Sequence, residues 1–212
     1  MSVLFQFNGL NVISTPVYPA PSSLTATNTD FSAPANNPFS GNQQIQDWQS
    51  SMLSFSVQLP PMSANGGGDD WSAFLMQCRG MVNAFLIGDP TKKTPKGSML
   101  ITGAAPLING ANQVGYNLMT KGWQANAQGV LKRGDWIQII YRLHKVLDDV
   151  NADASGNATI AIWPQIRESP ADGSTLTTHN TVGLFRLASN SNNWSINLAS
   201  IYGMEFKIRE AI

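Results

Sequence analysis

The clearest pattern along the chain is the alternation of Leu53, Phe55, Val57 and Leu59 with Ser54, Ser56 and Gln58, the period of a strand with one buried and one solvated face. The same period returns near the other end, where Tyr202, Met204, Phe206 and Ile208 alternate with Glu205, Lys207 and Arg209. Pro60-Pro61 ends the first strand and Gly66-Gly67-Gly68 supplies a flexible turn. Trp71, Phe74, Leu75 and Cys78 then fall at i, i+3, i+4 and i+7, which predicts one short helix, capped by Asp69 or Asp70 and stopped at Gly80. Met81 to Ile87 reads as a buried strand closed by Gly88-Asp89-Pro90. Beyond it, Ser98 to Thr102, Val114 to Met119, Trp136 to Val146 and Ala158 to Trp163 predict short strands of a small antiparallel barrel or sandwich. Val182 to Ala188 and Trp194 to Leu198 predict two more.

Two stretches break the strand rhythm. Pro16, Pro19, Pro21, Pro34 and Pro38 punctuate residues 14–42, which predicts a long extended loop or arm without sustained backbone hydrogen bonding. Thr91 to Gly97, with three lysines and Pro95, reads as a linker and places a domain boundary near residue 93. At 212 residues the chain allows one compact domain or two small ones, and the linker favours two.

Composition narrows the partners. Thirteen Lys and Arg balance thirteen Asp and Glu, and only 12% of residues are charged, about half the usual share. The surface is therefore built from Asn, Ser, Thr, Gln and Gly. It lacks the basic excess that holds nucleic-acid phosphates or anionic lipid, so DNA wrapping and membrane binding are disfavoured. Weak self-repulsion permits packing against further copies. The single cysteine, Cys78, precludes an intramolecular disulfide and suits a reducing cytoplasm. No leader or membrane span is expected.

Chemistry-bearing patterns are sparse. There is no G-x-x-x-x-G-K-[ST], G-x-G-x-x-G or G-x-S-x-G. Cys78, His144 and His179 lack zinc-ligand spacing, so neither a metal nor a cofactor is expected. His144 near Asp148 and Asp149 is read as a polar strand residue rather than a general base, and His179 as part of a polar turn. Asp148, Asp149, Asp153 and Asn157 are read as a hairpin turn rather than a calcium loop, and Arg133-Gly134-Asp135 as a turn rather than an adhesive tripeptide. The Asn157-Ala158-Thr159 and Asn193-Trp194-Ser195 sequons matter only in a secretory pathway. Trp48, Trp71, Trp123, Trp136, Trp163 and Trp194 read chiefly as core or interface anchors.

The order of several segments carries a resemblance. Asn37-Pro38-Phe39-Ser40-Gly41, Asp47-Trp48, Leu59-Pro60-Pro61-Met62, Trp71-Ser72-Ala73-Phe74-Leu75 and Phe85-Leu86-Ile87-Gly88-Asp89-Pro90 resemble the distal tail proteins of long-tailed bacteriophages. The similarity runs on through Leu131 to Asp135, Ala152 to Thr159, Pro170 to Gly173, Trp194-Ser195-Ile196 and Tyr202-Gly203, and so spans nearly the whole chain. The resemblance implies a non-enzymatic virion protein, assembled in the host cytoplasm. It would form a ring, usually six-fold, between the tail tube protein and the baseplate hub protein, with DNA only in transit through its lumen and the option of tail fibre attachment. It also implies a mainly β chain: a β-sandwich ring domain with one short helix, residues 1–93 and 178–212, and an inserted small OB-like barrel, residues 94–177.

A closed ring needs two different complementary patches on each subunit. The proline-rich arm is the candidate for one, with Phe31 and Phe39 as anchors beside Pro34 and Pro38, added to an open sheet edge of the next subunit. The alternative is that residues 14–42 cover their own sandwich. Two rival functions are a carbohydrate-binding module, motivated by the tryptophans and the polar surface, and a hydrolase, which needs convergent carboxylates or a nucleophile with a base.

Overall fold

A computed structural model describes residues 3–211. The chain begins with β1 (Val3–Phe7), β2 (Leu10–Ile13), β3 (Ser23–Asn36), β4 (Gln43–Gln58) and β5 (Met62–Ser63), followed by α1 (Gly68–Gln77) and β6 (Ala84–Ile87). Next come β7 (Leu107–Ile108), β8 (Gly115–Lys121), β9 (Trp136–Ile139), β10 (Arg142–Val146) and β11 (Asn157–Ile166), and finally β12 (Gly183–Leu187), β13 (Trp194–Ile196) and β14 (Ile201–Glu210). The fold is mainly β. A nine-stranded sheet runs β1-β2-β6-β12-β14-β4-β3, with β5 and β13 beside β14, and a curled five-stranded antiparallel half-barrel runs β7-β8-β11-β10-β9.

The alternation seen in the sequence sets the core of the larger sheet. Leu53, Phe55 and Val57 of β4 and Met204, Phe206 and Ile208 of β14 face inward, in register Phe206 opposite Val57 and Ile208 opposite Phe55. They share one core with Trp71, Phe74 and Leu75 of α1 and with Phe85 and Phe185, whose rings meet Phe74 at 5.0 Å and Phe55 at 5.3 Å respectively. Each buried aromatic contributes roughly 2–3 kcal/mol by leaving water. A second core fills the half-barrel, with Leu118, Trp123, Ile137, Ile160 and Ile162 at its centre.

The two sheets touch through side chains of the β9–β10 hairpin. Trp136 and Leu143 belong to the core of the larger sheet, and Tyr141 stacks on Phe5 at 4.9 Å and meets Phe7 edge-on at 5.0 Å. A Cβ on Gly183 would stand 2.9 Å from Leu143 Cβ, so the close approach of β12 to β10 requires glycine there.

Several local expectations need correction. The helix is capped by Gly67 at φ 111°, with no side-chain cap bond, and Asp69 and Asp70 sit in its first turn, where carboxylates complement the helix dipole. Trp136 to Val146 is two strands, turned at Ile140–Tyr141 with Ile140 at φ 58°, rather than one. Residues 98–102 form the isolated bridge Ile101–Trp123 rather than a strand, with single backbone hydrogen bonds from Ser98 to Gly129, Met99 to Val130 and Thr102 to Gly122.

The largest correction concerns residues 14–42. From Ser23 the chain is not a loop but a 14-residue strand paired along its length with β4, from Ser23 opposite Gln58 to Asn36 opposite Gln43. The prolines do not oppose this. Pro16, Pro19 and Pro21 precede the strand, and Pro38 lies in the turn. Pro34, opposite Ile45, is on an outer strand. Because the Asn37 amide donates to the Asn42 carbonyl and ladder bonds recur every second residue, the nitrogen of Pro34 points outward, where no donor is needed.

Candidate assembly surface

The β3–β4 hairpin is about 43 Å long at 3.3 Å per residue, and it has two parts. Its lower part lies in the sheet: β14 pairs with Ser54–Gln58. Its upper part extends past β14, and Phe31–Asn36 and Gln43–Trp48 are solvent-facing on both sides, apart from the half-buried Ala33. Phe31, Phe39, Ile45 and Trp48 are 40%, 98%, 63% and 60% exposed there.

The tip is preorganised. Asn37 Oδ1 accepts the amide hydrogens of Phe39 at 2.9 Å and Ser40 at 3.3 Å, the Gly41 amide donates to the Asn37 carbonyl at 3.0 Å, and Gly41 takes φ 69°, which glycine adopts without strain. Phe39 and Pro38 thus share a rigid turn. Pro34 lies within the ribbon and Phe31 about 17 Å behind Asn36, so the four residues expected to form an arm all lie on it but do not form one cluster. Trp48 was expected as a core or interface anchor and lies exposed on the ribbon; Ile45 was not picked out from the sequence, because Gln43-Gln44-Ile45-Gln46-Asp47-Trp48 lacks a sustained apolar stripe.

The half-barrel clamps the base of this arm. Trp163 Nε1 donates to Asp30 at 2.9 Å, and the Gln165 amide donates to Ser51 Oγ at 3.1 Å. Glu210 accepts from the Leu53 amide at 3.1 Å and from Arg167 at 3.3 Å. At the same level the ladder slips, from Asp30–Ser51 to Ser32–Asp47, so β4 advances four residues where β3 advances two. Burial pushes the Glu210 carboxyl above its ordinary value, against the opposing pull of the Leu53 amide, Arg167 and Arg142.

Most of the other singled-out residues lie away from the arm. His144 is buried and its Nδ1 donates to the Pro164 carbonyl at 2.6 Å; desolvation holds the imidazole down to about 4, with that hydrogen bond opposing and Arg142 and Arg167 reinforcing. His179 is exposed and lies beside Thr178 Oγ1 at 3.1 Å. Asp135 of the Arg133-Gly134-Asp135 turn is buried, and its carboxylate accepts the amides of Lys96, Gly97 and Lys132. Asp149 pairs with Lys132 at 2.7 Å, while Asp153 accepts the amides of Ser155 and Asn157. Among the described residues no three or more His, Cys, Asp or Glu converge as a metal site, and no helix is long and apolar enough to cross a membrane. Trp71, Trp123 and Trp136 are buried, Trp163 and Trp194 half-buried, and Trp48 is on the arm. An open cleft of about 650 Å³ lies beside Trp194, lined also by Gln58, Asn192, Asn193, Glu205 and Lys207.

What the arm offers chemically is strand addition and apolar burial. β3 ends the larger sheet on one side and β1 on the other, so each presents unpaired backbone groups. Compared with family models and with curated proteins, the chain matches none.

Proposed function

We propose that the chain is a non-enzymatic structural subunit of a long-tailed bacteriophage tail, closing with further copies into a ring that joins the tail tube to the baseplate hub and leaves a lumen for DNA. The observation that carries this reading is the projecting ribbon. An isolated two-stranded hairpin is marginal in water, and one that also exposes Phe31, Phe39, Ile45 and Trp48 needs a covering surface. The clamp at Asp30, Ser51 and Leu53 holds the ribbon outward rather than folding it onto its own sheet. The weakly charged surface and the resemblance to distal tail proteins support the same reading, with residues 94–177 as an inserted spacer that offers attachment to fibres.

Mass measurement of the purified full-length chain, with electron microscopy of its projection, tests it. A closed annulus of identical subunits is expected; a monomer at every concentration and on purified tail tubes overturns the reading. The carbohydrate-binding alternative rests on the Trp194 cleft and on Trp48. Saturable binding on a glycan array, lost on Trp194→Ala or Trp48→Ala, would favour it instead.

A further inference from the structure

The charges are not evenly distributed along the chain. Residues 1–78 contain no Lys or Arg and carry Asp30, Asp47, Asp69 and Asp70, a net charge of −4; the remainder carries thirteen cations against nine acids, a net +4. The arm belongs wholly to the first group. Its upper part presents Asp47 and the amide side chains of Asn36, Asn37, Asn42, Gln43, Gln44 and Gln46, without one cation.

The cations gather on a different flank. Lys92, Lys93 and Lys96 lie on the segment that leaves β6, and the turn that carries Arg133 comes close to Lys96: a Cβ on the adjoining Gly134 would stand 3.9 Å from Lys96 Nζ. The backbone here is fixed, since Lys93 accepts the Asn180 amide at 2.7 Å and the Lys96 amide donates to Asp135 at 2.8 Å. Asp135 is engaged with backbone amides, Asp149 with Lys132 and the Arg133 amide, and Asp89 with Thr91 and Trp136, while Asp148 is exposed beside Asp149. The side chains of Lys93, Lys96 and Arg133 are exposed.

Topology sets these two surfaces on opposite sides at one end of the sheet. β4 runs antiparallel to β14, β14 to β12 and β12 to β6, so the exit of β6 points to the same end as the arm. Ile87, opposite Gly183, lies two rungs beyond the Phe185–Glu210 pair, close to the level at which Glu210 accepts the Leu53 amide at the base of the arm. Four strand spacings separate β6 from β3, about 19 Å, with β2 and β1 on the far side. β1 adds exposed Val3 and Leu4 at that end, since Val3 pairs with Ile13 and Ile13 with Phe85.

Resting on the ring reading, we propose that the arm of one copy seats on the flank of the next copy formed by Lys92, Lys93, Lys96 and Arg133. Asp47 and the arm's amide oxygens meet the lysine and arginine donors, and Ile45 and Trp48 meet Val3 and Leu4. Two unlike patches at one axial level make a heterologous contact that rotation repeats. Opposite charge brings the right flanks together and keeps like flanks apart.

Charge reversal tests this contact in the full-length chain. Asp47→Lys alone, and Lys93→Glu with Lys96→Glu, should each weaken self-association about tenfold in sedimentation at low salt, and the combined reversal should recover to within about threefold of the parent. Added salt should weaken the parent's association, because the contact lies within a Debye length of roughly 10 Å at 0.1 M. All three positions are exposed, and unchanged thermal midpoints would show that the variants fold. If the parent assembles but the combined reversal is as weak as the single ones, or if none has an effect, this contact is wrong while the ring stands. A parent that never assembles defeats the ring and this contact with it.

Discussion

β4 is one strand in two surroundings. Between Leu53 and Val57 alternate side chains are buried in the core shared with α1, whereas between Gln43 and Trp48 all are exposed. The partner strand changes with it: Leu24 packs against the core, while Asn28 to Ser32 are exposed. The ladder continues through both parts, broken only at the slip beside Trp163. Hydrogen bonding alone therefore does not distinguish body from arm; burial does. The body carries a core of its own, whereas on the proposed reading the arm is completed by a neighbouring copy.

The sharpest way to break this contrast is to attack the lower part. Phe55→Ala removes a fully packed ring between Phe185 and Ile208 and should cost about 4 kcal/mol of unfolding free energy, read by urea denaturation. The body should also respond to acid. His144 is held neutral at about 4 when folded and titrates near 6.5 when unfolded, so the unfolded chain binds the extra proton between those values. Stability is then full above pH 6.5 and falls by about 3 kcal/mol as the pH drops towards 4. Denaturation midpoints of His144→Asn across that window should be flatter than those of the parent.

A smaller effect is expected at the joint. Trp163→Phe keeps an aromatic ring but removes the donor to Asp30, which should cost about 1 kcal/mol and speed amide exchange near residues 28–32. The smallest effect on folding belongs to the arm: Phe39→Ser and Trp48→Ser should change monomer stability by less than about 0.5 kcal/mol, since neither side chain is buried. Both should nevertheless reduce assembly in sedimentation. An arm variant that unfolds the monomer would erase the distinction between the two parts.

What the sequence revealed follows the same division. The lower part of β4 and β14 could be read because one face is apolar and the other polar, which leaves a period of two. The upper arm could not, because a ribbon solvated on both faces has no such contrast, and its prolines read as breakers although Pro34 occupies an outward-facing position. The β9–β10 turn was hidden for the opposite reason. All four residues of β9 are buried, and the turn uses Ile140 at a positive φ where glycine or asparagine would have marked it. The basic flank appeared as a lysine-bearing linker, because its engagement with Asp135 and Asn180 depends on the fold. The clamp of Trp163 and Gln165 on the arm joins segments more than a hundred residues apart from Asp30 and Ser51, beyond the reach of any local pattern.

Hydrogen exchange of the arm amides, compared between monomer and assembled material, shows whether another copy covers the arm. Residues 31–33, 35–36 and 43–48 should exchange rapidly in the monomer and at least about a hundredfold more slowly once assembled, while Phe55 and Val57 are protected in both states. Equal exchange of the arm in both states would contradict covering by another copy.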